Sequence, residues 1–402
     1  MAEPTLQTIV AAGLCTGCGA CGAALTKGRV AMRLDAAGYL RPEATGALSA
    51  DEEKTVRQVC PGIALRHAPE VQLHYHPIWG PVRRVAAGHT VDHDLRHLAS
   101  SGGVLSALLI HLLVTRQVDF VVHVRVASDD PLRNDAVIST TPAEVAAGAG
   151  SRYAPAAPLT ILPSAIERGG RFAFVGKPCD AAALRKMMAR DPVLAERVAV
   201  VLSFMCAGTP SLRGSHEVLQ RFGMTASDLV SFRYRGAGWP GLARAEDRQG
   251  RVGTMDYNTA WGSILNRHLQ PRCKLCADGT GEFADLVCAD AWYGKDGYPE
   301  FTEREGRSLV LVRTPLGERL LDGAKDVVTT EPFDLTTLGA IQPYQFKRKA
   351  AMLARLIARR VLLRRVPSFS GMGLAHCARH LSLKVLVREF LGTLKRTAQG
   401  RI

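Results

Sequence analysis

Three cysteines spaced two residues apart, Cys15, Cys18 and Cys21, place the tightest constraint on how this chain can fold. The residues between them are mostly small, and a fourth cysteine follows much later in Cys60-Pro61. Small spacers let the backbone amides turn toward the sulfurs, so the segment can wrap around one centre that Cys60 closes. The spacing is typical of a 4Fe-4S cluster, and one such triplet predicts one cluster. The alternatives are chance or a zinc site, which usually takes its ligands in pairs.

The chain is longer than a single hydrophobic core usually supports, because it has 402 residues. We predict three units: a ferredoxin-like 4Fe-4S domain over residues 1–75, a larger cofactor-binding α/β domain over 76–340, and a basic helical tail over 341–402. The first boundary lies in the His- and Pro-containing stretch 74–81. A β-rich insert is expected within the larger domain, since three short strand patterns follow one another between residues 229 and 256.

The setting of the ten cysteines decides how they are used. The first residues show no basic start followed by an apolar run, and the longest apolar run, 104–114, is too short to cross a bilayer. These features predict a cytoplasmic, reducing environment. Cysteines there act as metal ligands or redox thiols more often than as disulfides.

Two predicted strands, 171–175 and 198–206, each deliver a cysteine at the carboxyl end. Cys179 follows the first strand at a turn into a helix, and Cys206 ends the second. Binding sites in α/β proteins form at this edge of the sheet. Lys177 beside a thiol at a helix start favours the thiolate, which suits a metal ligand or a nucleophile.

Cys273 and Cys276 supply two further thiols and need two partners from elsewhere in the chain. Cys179 and Cys206 are the natural partners, so the four together predict a second metal cluster. A redox dithiol and inert buried thiols are the alternatives. Cys288 lies within an apolar strand and is expected to belong to the core.

Residues 100–103 read Ser-Ser-Gly-Gly and open a predicted helix. Glycines allow a phosphate to approach closely, hydroxyls donate to it, and the helix start adds free N–H groups. The alternative is a serine cap on a buried helix. The strand pattern 118–126 follows, as in an α/β fold. Arg152 and Tyr153, in the later loop 150–153, suit a cofactor or a structural role.

The net charge of +14 is concentrated near the C-terminus, where residues 340–402 hold fourteen Lys or Arg and one acid, Glu389. The first 339 residues are nearly neutral, so a basic groove for nucleic acid is not expected. Helices are predicted over 346–365 and 381–394. The main expectation is helices docked on the domain with a solvated basic face. Peripheral contact with anionic lipid on the inner face of the membrane, or with an acidic protein, is the alternative.

In combination, these segments resemble the family of β subunits of coenzyme F420 hydrogenase and dehydrogenase, whose relatives include 7-hydroxymethyl chlorophyll a reductase. The similarity covers nearly the whole chain and also rests on residues 206–210, 281–285 and 290–292. It implies FAD in the α/β domain and two 4Fe-4S clusters. The residues it assigns to FAD are Ser100, Ser101, Gly102, Gly103, Gly150, Ser151, Arg152, Tyr153, Gly176, Lys177 and Pro178. The cluster ligands are Cys15, Cys18, Cys21 and Cys60 for one cluster, and Cys179, Cys206, Cys273 and Cys276 for the other.

The resemblance implies an oxidoreductase that moves electrons between ferredoxin or an F420-type carrier and a small-molecule substrate that takes two electrons. Lys177 and Arg152 are predicted to stabilise negative charge on the reduced flavin or substrate. The family's Gly-Ser-Lys-Tyr reads Gly-Ser-Arg-Tyr here, which keeps the charge and removes a proton donor at neutral pH. Many relatives read Gly-Asp-Ala-Trp where this chain has Ala-Asp-Ala-Trp at 289–292. Both departures leave the substrate open.

Three alternatives to this function stay open. The first is an electron-transfer subunit without its own substrate, and the second is a tetrapyrrole-type biosynthetic reductase, against which the Ser-Ser-Gly-Gly form counts. The third is a membrane-surface or nucleic-acid binding protein whose clusters are structural. We expect a homo-oligomer or a subunit of a redox complex that does not bind nucleic acid.

Overall fold

A computed structural model describes residues 3–295 and 298–402 of the chain. Short 3-10 helices and one π-helix, Asn258–Ile264, connect some of the elements. The strands are β1 Val30–Leu34, β2 Leu40–Ala44, β3 Ala64–Arg66, β4 Tyr75–His76, β5 Gly80–Pro81, β6 Arg84–Thr90, β7 Phe120–Val126, β8 Asn134–Ser139, β9 Phe172–Gly176, β10 Val198–Phe204, β11 Leu229–Arg233, β12 Ala243–Asp247, β13 Val252–Met255, β14 Leu286–Asp290, β15 Tyr293–Lys295, β16 Tyr298–Glu300, β17 Ser308–Val312, β18 Val328–Pro332 and β19 Ser368–Ser370. The α-helices are α1 Leu6–Ala11, α2 Ala20–Ala23, α3 Ala50–Val59, α4 His93–Leu98, α5 Val104–Val114, α6 Pro142–Ala146, α7 Leu162–Arg168, α8 Pro178–Met188, α9 Pro192–Arg197, α10 Leu212–Arg221, α11 Pro315–Gly323, α12 Leu338–Ile341, α13 Pro343–Ala350, α14 Met352–Val361, α15 Leu374–Ala378 and α16 Leu383–Ala398.

An eight-stranded sheet in the order β18-β6-β17-β14-β10-β9-β7-β8 organises the fold. Strands β14, β10, β9 and β7 pair in parallel at its centre, and antiparallel pairs complete both flanks. The central strands are apolar almost throughout, as expected where both faces of a sheet are covered. Along β9, Phe172 and Phe174 pack with α8 on one face, while Ala173 and Val175 pack with α5 on the other. The predicted α/β class is therefore confirmed.

The strand patterns predicted for the cofactor-binding domain match observed strands. Residues 118–126, 171–175 and 198–206 correspond to β7, β9 and β10. The β-rich insert is an antiparallel three-stranded sheet in the order β11-β12-β13. Because β9, β10 and β14 run in parallel, their carboxyl ends meet at one edge of the main sheet.

The first cysteine segment lies in a small unit built from α1, α2, α3 and the hairpin β1-β2. Ser49 and Glu52 cap the start of α3 reciprocally, which fixes the helix that carries the chain toward Cys60. The core of the unit contains Leu6, Ile9 and Val56, and Leu275 from beside the second cysteine pair packs into it. Strand β19 of the tail pairs in parallel with β3. The boundaries of the three predicted domains remain predictions.

The tail is helical, but the prediction of one helix over 346–365 is wrong. The helix breaks at Ala351 into α13 and α14, although Ala350, Ala351 and Met352 all favour helix. Tertiary contacts anchor the two pieces separately: Lys349 of α13 binds Glu282, and Arg355 of α14 binds Glu389. The second predicted helix, 381–394, corresponds to α16, which ends at Ala398, four residues beyond its predicted end. No helix within the described residues is long and apolar enough to cross a membrane.

Candidate functional site

The four cysteines of the first set line one small cavity. Its floor is the segment 15–21, Cys60-Pro61 lies across from it, and the side chains of Leu6, Ile9 and Val56 complete its apolar lining. Gly17 and Gly19 have φ angles of 75° and 86°, a backbone conformation that favours glycine. This conformation lets the Gly17 N–H donate to Cys15 Sγ at 3.4 Å. The small residues between the cysteines therefore let a backbone amide turn toward a sulfur, as predicted from the sequence.

Electrostatics in this cavity favour a cationic occupant. Burial raises the pKa of Cys18 to about 12, with the nearby Asp180 adding to the rise. Burial likewise raises the pKa of Cys21 well above its usual range, and the sulfurs of Cys18, Cys15 and Cys60 raise it further. Four thiolates so close together in a dry cavity repel one another unless a positive centre compensates them. The donor set therefore fits an iron-sulfur cluster.

No group of three or more His, Cys, Asp or Glu side chains in residues 3–295 and 298–402 has an arrangement that could hold a single metal ion. The preference for a cluster over a zinc site therefore rests on the spacing of the cysteines along the chain.

The second set of cysteines gathers at the carboxyl edge of the main sheet. Cys179 lies in the first turn of α8 after β9, and Cys206 follows β10. Burial raises the pKa of Cys206 to about 12, and the sulfurs of Cys273 and Cys276 add to the rise. Cys206 in turn raises the pKa of Cys179, after burial and Asp180. The Thr209 N–H donates to Cys273 Sγ at 3.3 Å. The structure thus places the four cysteines near one another at this edge, and their shared ligation of one cluster remains a prediction.

Asp180 lies between the two cysteine sets and is fully buried. Its charge raises the pKa of both Cys18 in the first set and Cys179 in the second, in each case after burial. The pKa of Cys179 is also raised by Cys18 itself. Lys177 Nζ pairs with Asp180 Oδ2 at 2.7 Å. The two sets are therefore neighbours, joined through the start of α8.

The Ser-Ser-Gly-Gly turn, residues 100–103, packs on the sheet directly before α5. Ser101 Oγ donates to Ala289 O at 3.1 Å, and Gly103 has a φ of 75° at the helix start. Ser100 Oγ accepts a 2.7 Å hydrogen bond from Ser151 Oγ. Two of the predicted cofactor loops, 100–103 and 150–153, are therefore in contact.

The third predicted loop, Gly176-Lys177-Pro178, approaches the same region. Lys177 Nζ donates to Ala156 O at 3.2 Å, just beyond the 150–153 loop. Burial lowers the pKa of Lys177, but Asp180 and Cys179 outweigh burial, so the pKa is raised and the ammonium stays charged. Lys177 is thus a positive group between the cysteine edge and the predicted flavin loops.

Arg152 is directed away from this junction. Its guanidinium donates to Asn134 Oδ1 at 2.8 Å and to the carbonyl oxygens of Pro131, Arg133 and Phe232 at 2.8 to 3.0 Å. It therefore fastens its loop to β8 and to the insert. The predicted charge-stabilising role of Arg152 remains a prediction, while its observed contacts position the loop.

Arg235 is a site residue that sequence reasoning missed. It is 2% exposed, and both terminal nitrogens bind the Asp290 carboxylate, at 2.9 and 3.0 Å. It also donates to Ser100 O at 2.7 Å and to Tyr153 OH at 3.4 Å. Trp239 Nε1 donates a further hydrogen bond to Asp290 Oδ1 at 2.7 Å. The Gly-Ala-Gly-Trp-Pro-Gly stretch after Arg235 was the available signal, since such a turn brings backbone close to other loops.

Gly102→Ala is expected to destabilise the protein by about 1–3 kcal/mol because the new methyl overpacks the turn. A Cβ at Gly102 would lie 2.6 Å from both Gly88 O and Ser308 N, two backbone atoms of the main sheet. Chemical denaturation measures the change. Gly323→Ala is the control, because a Cβ there meets nothing within 4 Å and alanine favours helix. Equal stability of Gly102→Ala and the unmodified protein would contradict this packing.

Two protein-family models match this chain. Residues 85–163 match the family model described as coenzyme F420 hydrogenase/dehydrogenase, beta subunit N-term, and residues 169–335 match the corresponding C terminus. Together the matches cover more than half of the chain. The chain belongs to the family of coenzyme F420 hydrogenase/dehydrogenase beta subunits. Both matches lie beyond the first cysteine set, whereas the second set and all three predicted flavin loops fall within them.

Individual relatives have low sequence identity to this chain, but the similarity extends over most of its length. Coenzyme F420 hydrogenase subunit beta of Methanococcus voltae is 23% identical over 72% of this chain and 99% of its own length. The corresponding beta subunit of Methanothermobacter thermautotrophicus is 22% identical over 70% of this chain and 97% of its own. A chain of the F420-reducing [NiFe] hydrogenase complex from Methanosarcina barkeri has the same fold, with a TM-score of 0.54 and 19% identity over 70% of this chain and 95% of that one.

Proposed function

We propose that this protein is an oxidoreductase that uses FAD and two 4Fe-4S clusters to move electrons between a ferredoxin or F420-type carrier and a substrate that takes two electrons. The observation that carries the proposal is the proximity of the two cysteine sets, since the Asp180 charge acts on both Cys18 and Cys179. When bound, clusters carry single electrons and FAD exchanges two of them for a hydride. A chain with two adjacent cluster sites beside the predicted flavin loops is suited to connect these two kinds of carrier.

The chain's own residues would hold and orient these groups. Cys15, Cys18, Cys21 and Cys60 would hold one cluster in the closed cavity of the N-terminal unit. Cys179, Cys206, Cys273 and Cys276 would hold the other at the sheet edge. The cysteines of both sets are buried or half-buried, and N–H groups directed at sulfur favour the thiolates.

Around the predicted flavin, three loops meet at a rigid junction. Ser100 and Gly102 belong to a turn with helix-start N–H groups suited to phosphate. Arg235 joins this turn to the 150–153 loop by donating to Ser100 O and to Tyr153 OH, so the positions of the two are set together. Lys177 keeps a positive charge at the side that faces the cysteines, where it would favour a reduced, anionic flavin.

A second candidate is an electron-transfer subunit that docks on a catalytic partner and has no substrate of its own. It is favoured by the solved relative, which belongs to an F420-reducing hydrogenase complex. Turnover separates the two candidates. If the chain is a complete enzyme, the purified protein alone should oxidise or reduce an F420-type carrier with ferredoxin as the other reactant. If it is a subunit, it should need a partner protein for any further substrate.

The decisive experiment is anaerobic purification followed by flavin and iron analysis. We expect about one FAD and about eight iron atoms per chain, as two cubane clusters require. Extraction in acid and chromatography identify the flavin, and electron paramagnetic resonance of the reduced protein counts the clusters. A protein that takes up no FAD after reconstitution would refute the oxidoreductase proposal.

Asp180→Asn should raise the reduction potentials of both clusters. Reduction adds an electron beside Cys18 and Cys179, so removal of the Asp180 charge near both stabilises the reduced forms. A redox titration followed by electron paramagnetic resonance measures the shift. Asp322→Asn is the control, because Asp322 is a surface partner of Arg84. If neither potential moves, Asp180 does not lie between two clusters.

A further inference from the structure

Helix α16 buries two threonines against the protein and presents a stripe of apolar residues outward. Thr393 and Thr397 are buried, and Glu389 is held by Arg355 of α14 at 2.9 Å. Leu383, Val387 and Leu391, four residues apart on one stripe, are 76%, 46% and 56% exposed. In an ordinary surface helix such a stripe faces the core.

The apolar surface continues across α14. An open groove between the two helices is lined entirely by apolar side chains. At the end of α14, Val361 is 59% and Leu363 88% exposed. The residues lining the groove are Leu353, Ala354, Ile357, Ala378, Leu386, Val387 and Phe390. Contiguous exposed apolar side chains of this kind mark an interaction surface.

Cations border this surface. Lys384, Arg388 and Lys395 follow the exposed stripe along one side of α16, and Arg360 and Arg364 are exposed at the end of α14. Over residues 340–402 the net charge is +13, and the sole acid, Glu389, is paired with Arg355. The surface lies outside both family matches, which end at residue 335.

We propose that α14 and α16 form a docking surface for an anionic lipid bilayer, with α16 lying in the plane of the membrane interface. Protruding leucines enter the acyl boundary, and the bordering Lys and Arg side chains bind lipid phosphates. A second copy of this chain would bring the same positive charge and is disfavoured. An acidic protein would satisfy the charge, but the most exposed residues, Leu363 and Leu383, protrude as lipid insertion requires.

Flotation of the purified full-length protein with vesicles tests the proposal. We expect the protein to float with phosphatidylcholine vesicles that contain about 30% phosphatidylglycerol, and to stay unbound with phosphatidylcholine alone. High salt should weaken the binding. Val387→Asp should reduce it by about tenfold or more, because a charge enters the apolar stripe.

Val252→Asp is the matched control, since Val252 is 51% exposed on β13, outside the docking surface, and its replacement should leave flotation unchanged. Leu383→Asp is a second test whose loss cannot come from helix unfolding, because an acid at the first position of a helix stabilises it.

Several results would overturn the proposal. These are unmodified protein that stays unbound with anionic vesicles, equal binding to neutral vesicles, or a Val387→Asp variant that floats normally. Retention on an immobilised acidic ferredoxin without flotation, lost in Val387→Asp, would assign the surface to an acidic protein instead. A dimer that Val387→Asp converts to monomer would assign it to a second copy.

Discussion

Cys179→Ala protein purified without oxygen should contain about half of the iron of the unmodified protein, about four atoms per chain in place of about eight. The variant removes the predicted ligand of the second set at the start of α8, so the proposed cluster at the sheet edge should not assemble. The first set keeps all four thiols in its own cavity. Iron analysis and electron paramagnetic resonance should therefore show one cluster signal lost and the other retained.

Cys288→Ala is the matched control for this result. Cys288 is also buried, in β14, and burial alone raises its pKa to about 12, with no neighbouring thiol contributing. Its replacement should leave the full iron content. A Cys179→Ala protein that keeps a complete second cluster would show that the assignment of Cys179, Cys206, Cys273 and Cys276 is wrong.

Lys349→Met should lower the free energy of unfolding by about 3–5 kcal/mol, the usual cost of removing one partner of a buried ion pair. Lys349 Nζ lies 2.6 Å from Glu282 Oε1, and neither side chain is more than 3% exposed. Tyr75 donates to Glu282 Oε2 at 2.8 Å, and His67 contacts the same oxygen at 2.9 Å. The change therefore leaves the buried Glu282 carboxylate without its main counter-charge. This carboxylate lies where the N-terminal unit, the main sheet and the tail meet.

The stabilisation by the Lys349–Glu282 ion pair should decrease at acidic pH. Burial alone would raise the pKa of Glu282, but Lys349 and His67 outweigh it and lower the pKa from 4.5 to about 2. A lowered pKa in the folded protein stabilises it above pH 4.5, by about 3 kcal/mol, and this stabilisation is lost as the pH falls toward 2. The difference between Lys349→Met and the unmodified protein should therefore shrink below about pH 4.5.

Urea denaturation at several pH values measures both effects. Lys347→Met is the control because Lys347 lies on the same helix, α13, but is exposed. It should unfold like the unmodified protein at every pH. Equal stability of the Lys349 and Lys347 variants would show that the Glu282 contact does not stabilise the fold.

Local features of the fold could be predicted because they depend on residues close in sequence. The strands β7, β9 and β10 follow short apolar runs, and the spacing of Cys15, Cys18 and Cys21 depends on small residues between neighbours. In each case the side-chain pattern and the backbone conformation are set within a few residues.

The break at Ala351 and the role of Arg235 could not be predicted in this way. Nothing in the residues around Ala351 ends a helix, and the break reflects separate anchors at Glu282 and Glu389. Arg235 contacts Ser100 and Asp290, which lie 135 and 55 positions away along the chain. Contacts of this kind depend on how strands are ordered in the sheet.

The sequence alone predicted two sets of four cysteines, and it determined an α/β core and a basic helical tail. Tertiary structure decided that the Asp180 charge acts on a cysteine of each set and that α16 buries its threonines while it exposes Leu383 and Leu391. The physical reason is that an amphipathic pattern specifies two faces of a helix, but packing partners decide which face is covered. Likewise, spacing groups the cysteines of one segment, whereas the packing of α8 against the N-terminal unit sets the distance between segments.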